Sequence, residues 1–303
     1  MSEIKLQKPF LKWVGGKTQL INNIITYIPN EINNYHEPFL GGGSVLFTIL
    51  SLQKEKKIKI HNKIYAYDAN TNLINTYNKI KDKKDAVWKN INEHMKIYDS
   101  LTGNIINRNP NNLDDAKSSK ESYYYWLRKI YNEKKRRNTA VCAALFIILN
   151  KLCFRGVYRE SKNGFNVPYG HYKTTPTIIT KSELNIISEL IKDVEFKVLD
   201  FSESIKKVKK DDFVYLDPPY APETKTSFVD YTTAGFNLSQ HKLLFSSLIT
   251  LSKKEEFKFL LSNAKVKLVE DLFKDYTIEN ITARRAIHSK KPDSTTTEVL
   301  ISN

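Results

Sequence analysis

Phe213-Val214-Tyr215-Leu216-Asp217-Pro218-Pro219-Tyr220 is an apolar run that stops at an acid followed by two prolines. Aromatic and β-branched residues halted by prolines, which cannot continue a ladder, predict a buried strand and the turn at its C-terminal end. Open α/β sheets bind ligands at such strand ends. The turn also has a chemistry. The exocyclic nitrogen of an aminopurine is a poor nucleophile because its lone pair is delocalised into the ring. Acceptors from the Asp217 carboxylate and the Pro218 carbonyl, held by the Pro219 turn, would bond its two hydrogens and favour a pyramidal, attacking nitrogen. Tyr220 would stack on the extruded base. Taken alone, the same four residues also fit a plain strand-ending turn.

Working outward, Glu37-Pro38-Phe39-Leu40-Gly41-Gly42-Gly43-Ser44 places a glycine turn between a short strand and a helix starting at Ser44, an arrangement that lets a ligand approach the backbone closely. A bare tight turn explains the glycines equally well. Lys59–His61 and Ile64–Tyr67 predict a strand region ending at Asp68, 25 residues after Gly43. From there a carboxylate can grip ribose hydroxyls, or simply cap the next helix. Leu20, Ile21, Ile24, Ile25 and Ile28 recur at helical spacing up to Pro29. Gly16-Lys17-Thr18 imitates the end of a phosphate-binding loop, but that pattern needs Gly where this chain has Leu11, which argues against an NTPase.

From about residue 71 the pattern turns helical and polar, with Thr139–Lys151 as a helix, and Phe154–Lys173 then reads as an ordered loop or hairpin. Strand signals return at Phe196–Leu199, Phe213–Leu216, Phe257–Leu261 and Glu298–Ile301. The simplest organisation is an α/β domain with a parallel sheet, residues 1–70 and 196–303, interrupted by an insert over 71–195.

Composition narrows the function. At 303 residues, 41% hydrophobic and 27% charged, the chain is globular rather than disordered. Its longest apolar run, Ala140–Leu149, is half of what a bilayer span of about 20 residues needs. With no apolar signal stretch after Met1, an intracellular, cytoplasmic location is expected. Cys142 and Cys153 cannot make a four-ligand zinc site, so free thiols and no metal are expected. Lysine plus arginine number 48 against 33 acids, a net +15, the footprint of a nucleic-acid binder. Glu121–Lys181 alone holds 12 basic and 3 acidic residues. Tyr123–Trp126 fits insert core. His36, His171 and His288 stand without a partner acid or metal set and receive no catalytic role.

Together, Phe10-Leu11-Lys12-Trp13-Val14-Gly15-Gly16-Lys17, the Glu37–Ser44 turn, Asp68, the basic insert and Asp217–Tyr220 closely resemble, in order, the Dam-type DNA adenine methyltransferases. Asn150–Lys173 resembles the family's DNA-reading hairpin, and Ser262-Asn263, Arg284–Ile287 and Glu298–Leu300 fall where its closing strands lie. The resemblance implies a Rossmann-like methyltransferase sheet with helices on both faces, and an inserted, mainly helical target-recognition domain with a β-hairpin. It implies S-adenosylmethionine as methyl donor, with Trp13, Lys17, Glu37, Phe39, Gly41, Gly43, Ser44, Asp68, Asp200, Phe201 and Asp217 at the donor. Catalysis falls to Asp217, Pro218, Pro219 and Tyr220, with direct transfer to a flipped adenine. Lys12, Phe154 as a wedge, Arg155, Val157, Arg159 and Pro168 would read duplex DNA, while Lys134, Lys135, Arg136 and Arg137 would contact phosphates. GATC is the candidate motif, and Arg155 stands where the best-known members carry Asn. A separately encoded restriction endonuclease is the candidate partner, and a monomer or weak dimer the expected form. The same core chemistry would also serve an RNA or a protein glutamine amide, and a catalytically inactive DNA-binding module is the remaining alternative.

Overall fold

The computed structural model describes residues 6–135, 137–221, 236–284 and 295–303. In chain order the elements are α1 (Ile21–Ile25), β1 (Glu31–Ile32), β2 (Tyr35–Glu37), α2 (Ser44–Lys54), β3 (Lys59–Ile60), β4 (Ile64–Asp68), α3 (Thr71–Ser100), α4 (Leu113–Ala116), α5 (Lys120–Glu133) and α6 (Ala140–Leu152). They continue as β5 (Glu160–Ser161), β6 (Gly164–Phe165), α7 (Lys181–Leu190), β7 (Val194–Val198), α8 (Phe201–Ile205), β8 (Phe213–Leu216), α9 (Leu238–Ser252), β9 (Lys258–Ala264), α10 (Lys267–Leu272), β10 (Thr277–Arg284) and β11 (Thr295–Ser302).

Seven strands form one mixed sheet in the order β10-β11-β9-β8-β2-β4-β7. The five from β9 to β7 are parallel, and β11 runs antiparallel to both its neighbours. Pleat alternation sends side chains to two separate cores. Phe213 and Tyr215 of β8, with Leu260 and Leu300, join the core built on α2 and α3. Val214 and Leu216, with Phe259, Leu261, Val299 and Ile301, join the core under α8, α9 and α10. Helices therefore cover both faces, as the Rossmann-like reading requires.

The first core runs without a seam from the sheet into the inserted segment. Helix α3 carries it: Tyr77 stacks on Phe196 of β7 at 4.9 Å, and beyond a break in helical geometry at Lys83 the helix continues as a wall against which α6 packs. Tyr123, Tyr124 and Tyr125 are buried in the insert's core. Both cysteines are buried and unbridged.

Several boundaries differ from the sequence reading. The helix expected over Leu20–Ile28 is regular only over Ile21–Ile25, because the chain enters through a 3-10 turn at Lys17–Gln19. The strand region from Lys59 is two strands, and β3 pairs with β1 in a small separate ladder. β7 begins at Val194, two residues before the expected return to the sheet. The hairpin in Phe154–Lys173 has only two-residue strands. His288 and Arg285–Ile287 lie outside the described residues.

Of the three histidines read as lacking a partner acid, two have one. His171 Nδ1 lies 3.5 Å from Glu121, and His36 Nε2 lies 3.0 Å from Asp212 Oδ2, both residues buried. Asp212 also accepts from the Lys209 amide, the Asn34 amide, and the Asn33 and Asn34 side chains. It immediately precedes β8, so it ties the end of the sheet opposite to Asp217. Burial pushes the Asp212 carboxyl up, but the bonds from His36, Lys209 and Asn34 outweigh burial and hold it below the usual range. Asp212→Ala strands these donors in a dry site and should lower unfolding free energy by about 3 kcal/mol. Because the folded-state carboxyl is depressed, its stabilisation is present above the usual carboxylate range and fades on acidification. Urea titrations should show the gap between wild type and variant constant at neutral pH and narrowing below about pH 4; a gap that widens on acidification would refute this.

Candidate active site

The loops leaving β2, β4 and β8 meet at one edge of the sheet. After β2, the turn needs glycine at two places. Gly41 and Gly43 have φ of +49° and +72°, in the left-handed region that L side chains rarely adopt. A Cβ on Gly41 would stand 2.9 Å from the Trp13 ring, and one on Gly43 2.7 Å from the Tyr77 hydroxyl. Asp68, at the end of β4, accepts from the Gly41 amide at 3.0 Å and from the Asn70 amide at 2.8 Å. The cap of α3 is Asn70, which accepts from Leu73. Asp68 is thus not the N-cap, and its carboxylate braces the glycine turn. Burial raises its carboxyl, against the pull of those two amides.

Asp200 caps α8 through the Ser202 amide at 2.9 Å. The next residue, Phe201, is buried and stacks on Phe39 at 5.8 Å and 22°. Glu37 is only 2% exposed. It accepts from the Tyr35 hydroxyl at 2.6 Å and from the Leu46 amide, so it supports the turn and the start of α2 from beneath.

Lys17 is brought to Asp217 across 200 positions of sequence. Its backbone amide donates to Ser44 Oγ at 3.0 Å, and its Nζ donates to Asp217 Oδ2 and to the Gly15 carbonyl, each at 2.6 Å. Lys17 is 5% exposed and the Asp217 side chain 19%. The same Nζ lies 4.9 Å from the centre of the Tyr220 ring. Burial raises the Asp217 carboxyl, and the neighbouring ammonium opposes that rise. Pro218 is buried and Pro219 exposed.

Sequence reasoning missed the residues that hold this turn. Tyr220 Oη donates to Glu298 Oε2 at 2.6 Å, and the Ala221 amide donates to Asn263 Oδ1 at 3.0 Å. Glu298 and Asn263 were legible only as parts of closing strands. Their only local signal is a polar residue beside the apolar run of its strand, Glu298 before Val299-Leu300-Ile301 and Asn263 after Phe259-Leu260-Leu261.

The expected DNA-reading residues form a second group. Phe154 is 47% exposed. It is thrust outward by a turn in which Arg155 and Gly156 both have positive φ, +57° and +67°. A Cβ on Gly156 would lie 2.3 Å from Lys12 Cβ. Asn150 clamps the Lys12 backbone on both sides, accepting from its amide at 2.8 Å and donating to its carbonyl at 2.7 Å. Lys12 Nζ reaches the Tyr172 hydroxyl at 3.2 Å. Arg159 and Pro168 are exposed and Val157 half-buried; Arg159 donates to Asn166 at 2.7 Å. Arg137 is engaged within the protein, paired with Glu160 at 2.9 Å and lying over the Tyr131 ring. Lys134 and Lys135 are exposed, and Arg136 lies outside the described residues. Trp13 joins the two groups, lying against Gly41 and Gly42 and stacking on Tyr158 at 5.5 Å.

A doubly covered sheet with a glycine turn, a strand-end acid and an Asp-Pro-Pro-Tyr turn at one edge, beside a basic insert, defines a DNA adenine methyltransferase. Residues 13–287 match the D12 class N6 adenine-specific DNA methyltransferases, and the chain belongs to that family. It is 36% identical over 292 residues to the type II methyltransferase M.MjaIII of Methanocaldococcus jannaschii, covering 93% of each chain. With the type II methyltransferase M1.LlaDCHI of Lactococcus lactis subsp. cremoris it shares 33% over 303 residues, 98% of this chain and 95% of the other. With the DNA adenine methylase of Haemophilus influenzae it shares 30% over 288 residues, 94% and 89% of the two chains. Among the described residues, no helix is long and apolar enough to cross a membrane.

The Glu37 carboxyl is pushed up to about 8, chiefly by burial and further by the Asp217 charge, with the Tyr35 hydroxyl bond opposing. A carboxyl raised in the folded state stabilises most below its unfolded value, and that contribution is lost as pH rises toward the folded value. Thermal unfolding of wild type against Glu37→Gln should therefore show the wild type losing ground steadily from about pH 5 to about pH 8. Parallel curves would mean that Glu37 is ionised throughout.

Proposed function

We propose that the chain transfers a methyl group from S-adenosylmethionine to the N6 amino group of an adenine flipped out of a short duplex motif. The observation that carries this is the convergence of Asp217, Tyr220 and Lys17 with the Gly41–Gly43 turn and Asp68 at one sheet edge. The donor supplies an electrophilic methyl on a positively charged sulfur. The residues present suit such a group: Asp68 and Asp217 offer carboxylates, with Asp68 at the ribose position, the buried Glu37 braces the glycine turn, and Phe39 and Phe201 offer stacked rings for a purine. Trp13, Lys17, Gly41, Gly43, Ser44 and Asp200 complete the donor site.

On the target side, Asp217 and the Pro218 carbonyl accept the two amino hydrogens, and this concentrates electron density on the nitrogen. With two oxygens, Asp217 can accept while Oδ2 keeps its bond to Lys17 Nζ. Tyr220 stacks on the extruded base, which cannot present its amino group in line while it is paired in a duplex. Phe154, exposed on its turn, fills the gap left in the stack. Lys12 donates to a guanine edge, and Arg155, Val157, Arg159 and Pro168 read neighbouring bases. GATC is the motif we infer. Arg155 in left-handed geometry is the departure that bears on it, since Asn tolerates that region better. The recognition unit is residues 71–195, the enzyme works inside the cell as a monomer or weak dimer, and a restriction endonuclease encoded elsewhere is its candidate partner.

Labelled methyl from S-adenosylmethionine should pass into unmethylated genomic DNA, and modification-sensitive sequencing should find methyladenine at one short motif. Asp217→Ala should abolish transfer and leave DNA affinity within about twofold of wild type, since it removes an interaction made at the reacting amino group. Wild-type turnover in that variant would overturn the assignment, and methyl transfer only to RNA or protein would reassign the acceptor.

A further inference from the structure

The Asp-Pro-Pro-Tyr turn is held from two strands that lie far from it in sequence. Glu298 of β11 is registered with Ala264 of β9, and Asn263 with Val299. Because side chains alternate along a strand, Glu298 and Asn263 belong to opposite faces of the β9–β11 pair. Glu298 receives the Tyr220 hydroxyl at 2.6 Å, and Asn263 receives the Ala221 amide at 3.0 Å. The turn is thus gripped from both faces of the sheet, by neighbouring strands. Both posts stand on strands paired on both sides. Val299 and Asn263 are fully buried, and β11 lies between β9 and β10 with ladder bonds on both sides.

A tyrosine needs no hydroxyl to stack on a base; a phenylalanine ring has the same face. The hydroxyl of Tyr220 nevertheless meets a carboxylate, and burial with the Asp217 and Glu298 charges keeps that phenol protonated and donating. A carboxylate acceptor makes this the stronger, charge-assisted kind of hydrogen bond. Lys17 Nζ lies 4.9 Å from the ring centre, so the ring's tilt is set within a few ångströms of the amino-accepting Asp217. A stacking platform free to rotate about its side-chain torsions would let the base tilt, and a misplacement of about 1 Å at a reacting centre can cost on the order of a hundredfold in rate.

We propose that Glu298 is a positioning residue for methyl transfer, one that fixes the Tyr220 ring through its hydroxyl, with Asn263 fixing the adjoining backbone. The inference rests on the reading that Tyr220 stacks on the target base. It assigns the hydroxyl of that tyrosine to orientation, and it places the β11 strand in the catalytic apparatus without contact to substrate.

The test is a double-mutant cycle of Tyr220→Phe and Glu298→Ala in the full chain, with labelled methyl transfer to unmethylated plasmid DNA. Each single change should lower kcat about tenfold while KM for the donor and for DNA moves less than twofold, and the double variant should also fall only about tenfold, because both remove one interaction. Glu298→Gln, which keeps an acceptor oxygen, should recover most of the rate, and its thermal midpoint reports whether the sheet is intact. A Tyr220→Phe enzyme as fast as wild type, or a double variant near a hundredfold slower, would overturn the proposal. A wild type that transfers no methyl to DNA would instead overturn the stacking assignment on which it rests.

Discussion

β2 lies between β4 and β8 in the sheet, so successive strands step away from it in two directions: β4 and β7 to one side, β8 and β9 to the other. Loops on a parallel sheet must diverge where the order reverses, and this opens a crevice at the carboxyl ends of the central strands. Every proposed catalytic and donor residue depends on that crevice. Gly41–Gly43 follow β2, Asp68 ends β4, Asp200 follows β7 and Asp217 follows β8. Without the reversal these four stations would not face one another. The two cores that clamp the sheet, one on each face, hold it closed around them.

The stations themselves were legible because each carries a local signal. A strand followed by Asp-Pro-Pro-Tyr, or by three glycines and a serine, declares its turn within eight residues. What stayed hidden depends on pairs remote in sequence. His36 finds Asp212 across 176 positions and Tyr220 finds Glu298 across 78, and neither acid differs in composition from a surface one. Arg137 shows the converse. In sequence it belongs to a basic cluster, whereas in the fold Glu160 and the Tyr131 ring engage it, so charge density overstated the cations available to phosphate. The hairpin expected within Phe154–Lys173 is present and short. Arg155, Gly156 and Gly164 take positive φ, which interrupts extended pairing and leaves two residues per strand.

The charge of the chain is partitioned. A protein with a net charge of +15 gathers carboxylates at its crevice, with Glu37 and Asp68 buried or nearly so and Asp217 paired to a single ammonium. Each acid there is raised by burial, and each is answered by hydrogen bonds that serve the fold: Tyr35 and Leu46 on Glu37, Gly41 and Asn70 on Asp68. The carboxyl groups are therefore held in place before any ligand arrives, which is the positional part of preorganised electrostatics. The surplus of lysine and arginine acts at longer range and favours a polyanion.

The N-terminal segment binds these parts into one object. Lys12 is clamped by Asn150 and pressed by Gly156, Trp13 lies between the glycine turn and Tyr158, and Lys17 ends on Asp217. Six residues thus touch the Phe154 turn, the Gly41–Gly43 turn and the Asp217 carboxylate in succession, the proposed reading, donor and catalytic stations. Asn72, just inside α3, adds a second link by donating to both Tyr158 and Glu160 at 3.1 Å. Trp13 has the glycines on one side and Tyr158 on the other, so it bridges the Gly41–Gly43 turn and the segment beyond the Phe154 turn. On the proposed reading, target reading and donor placement therefore share the same few side chains.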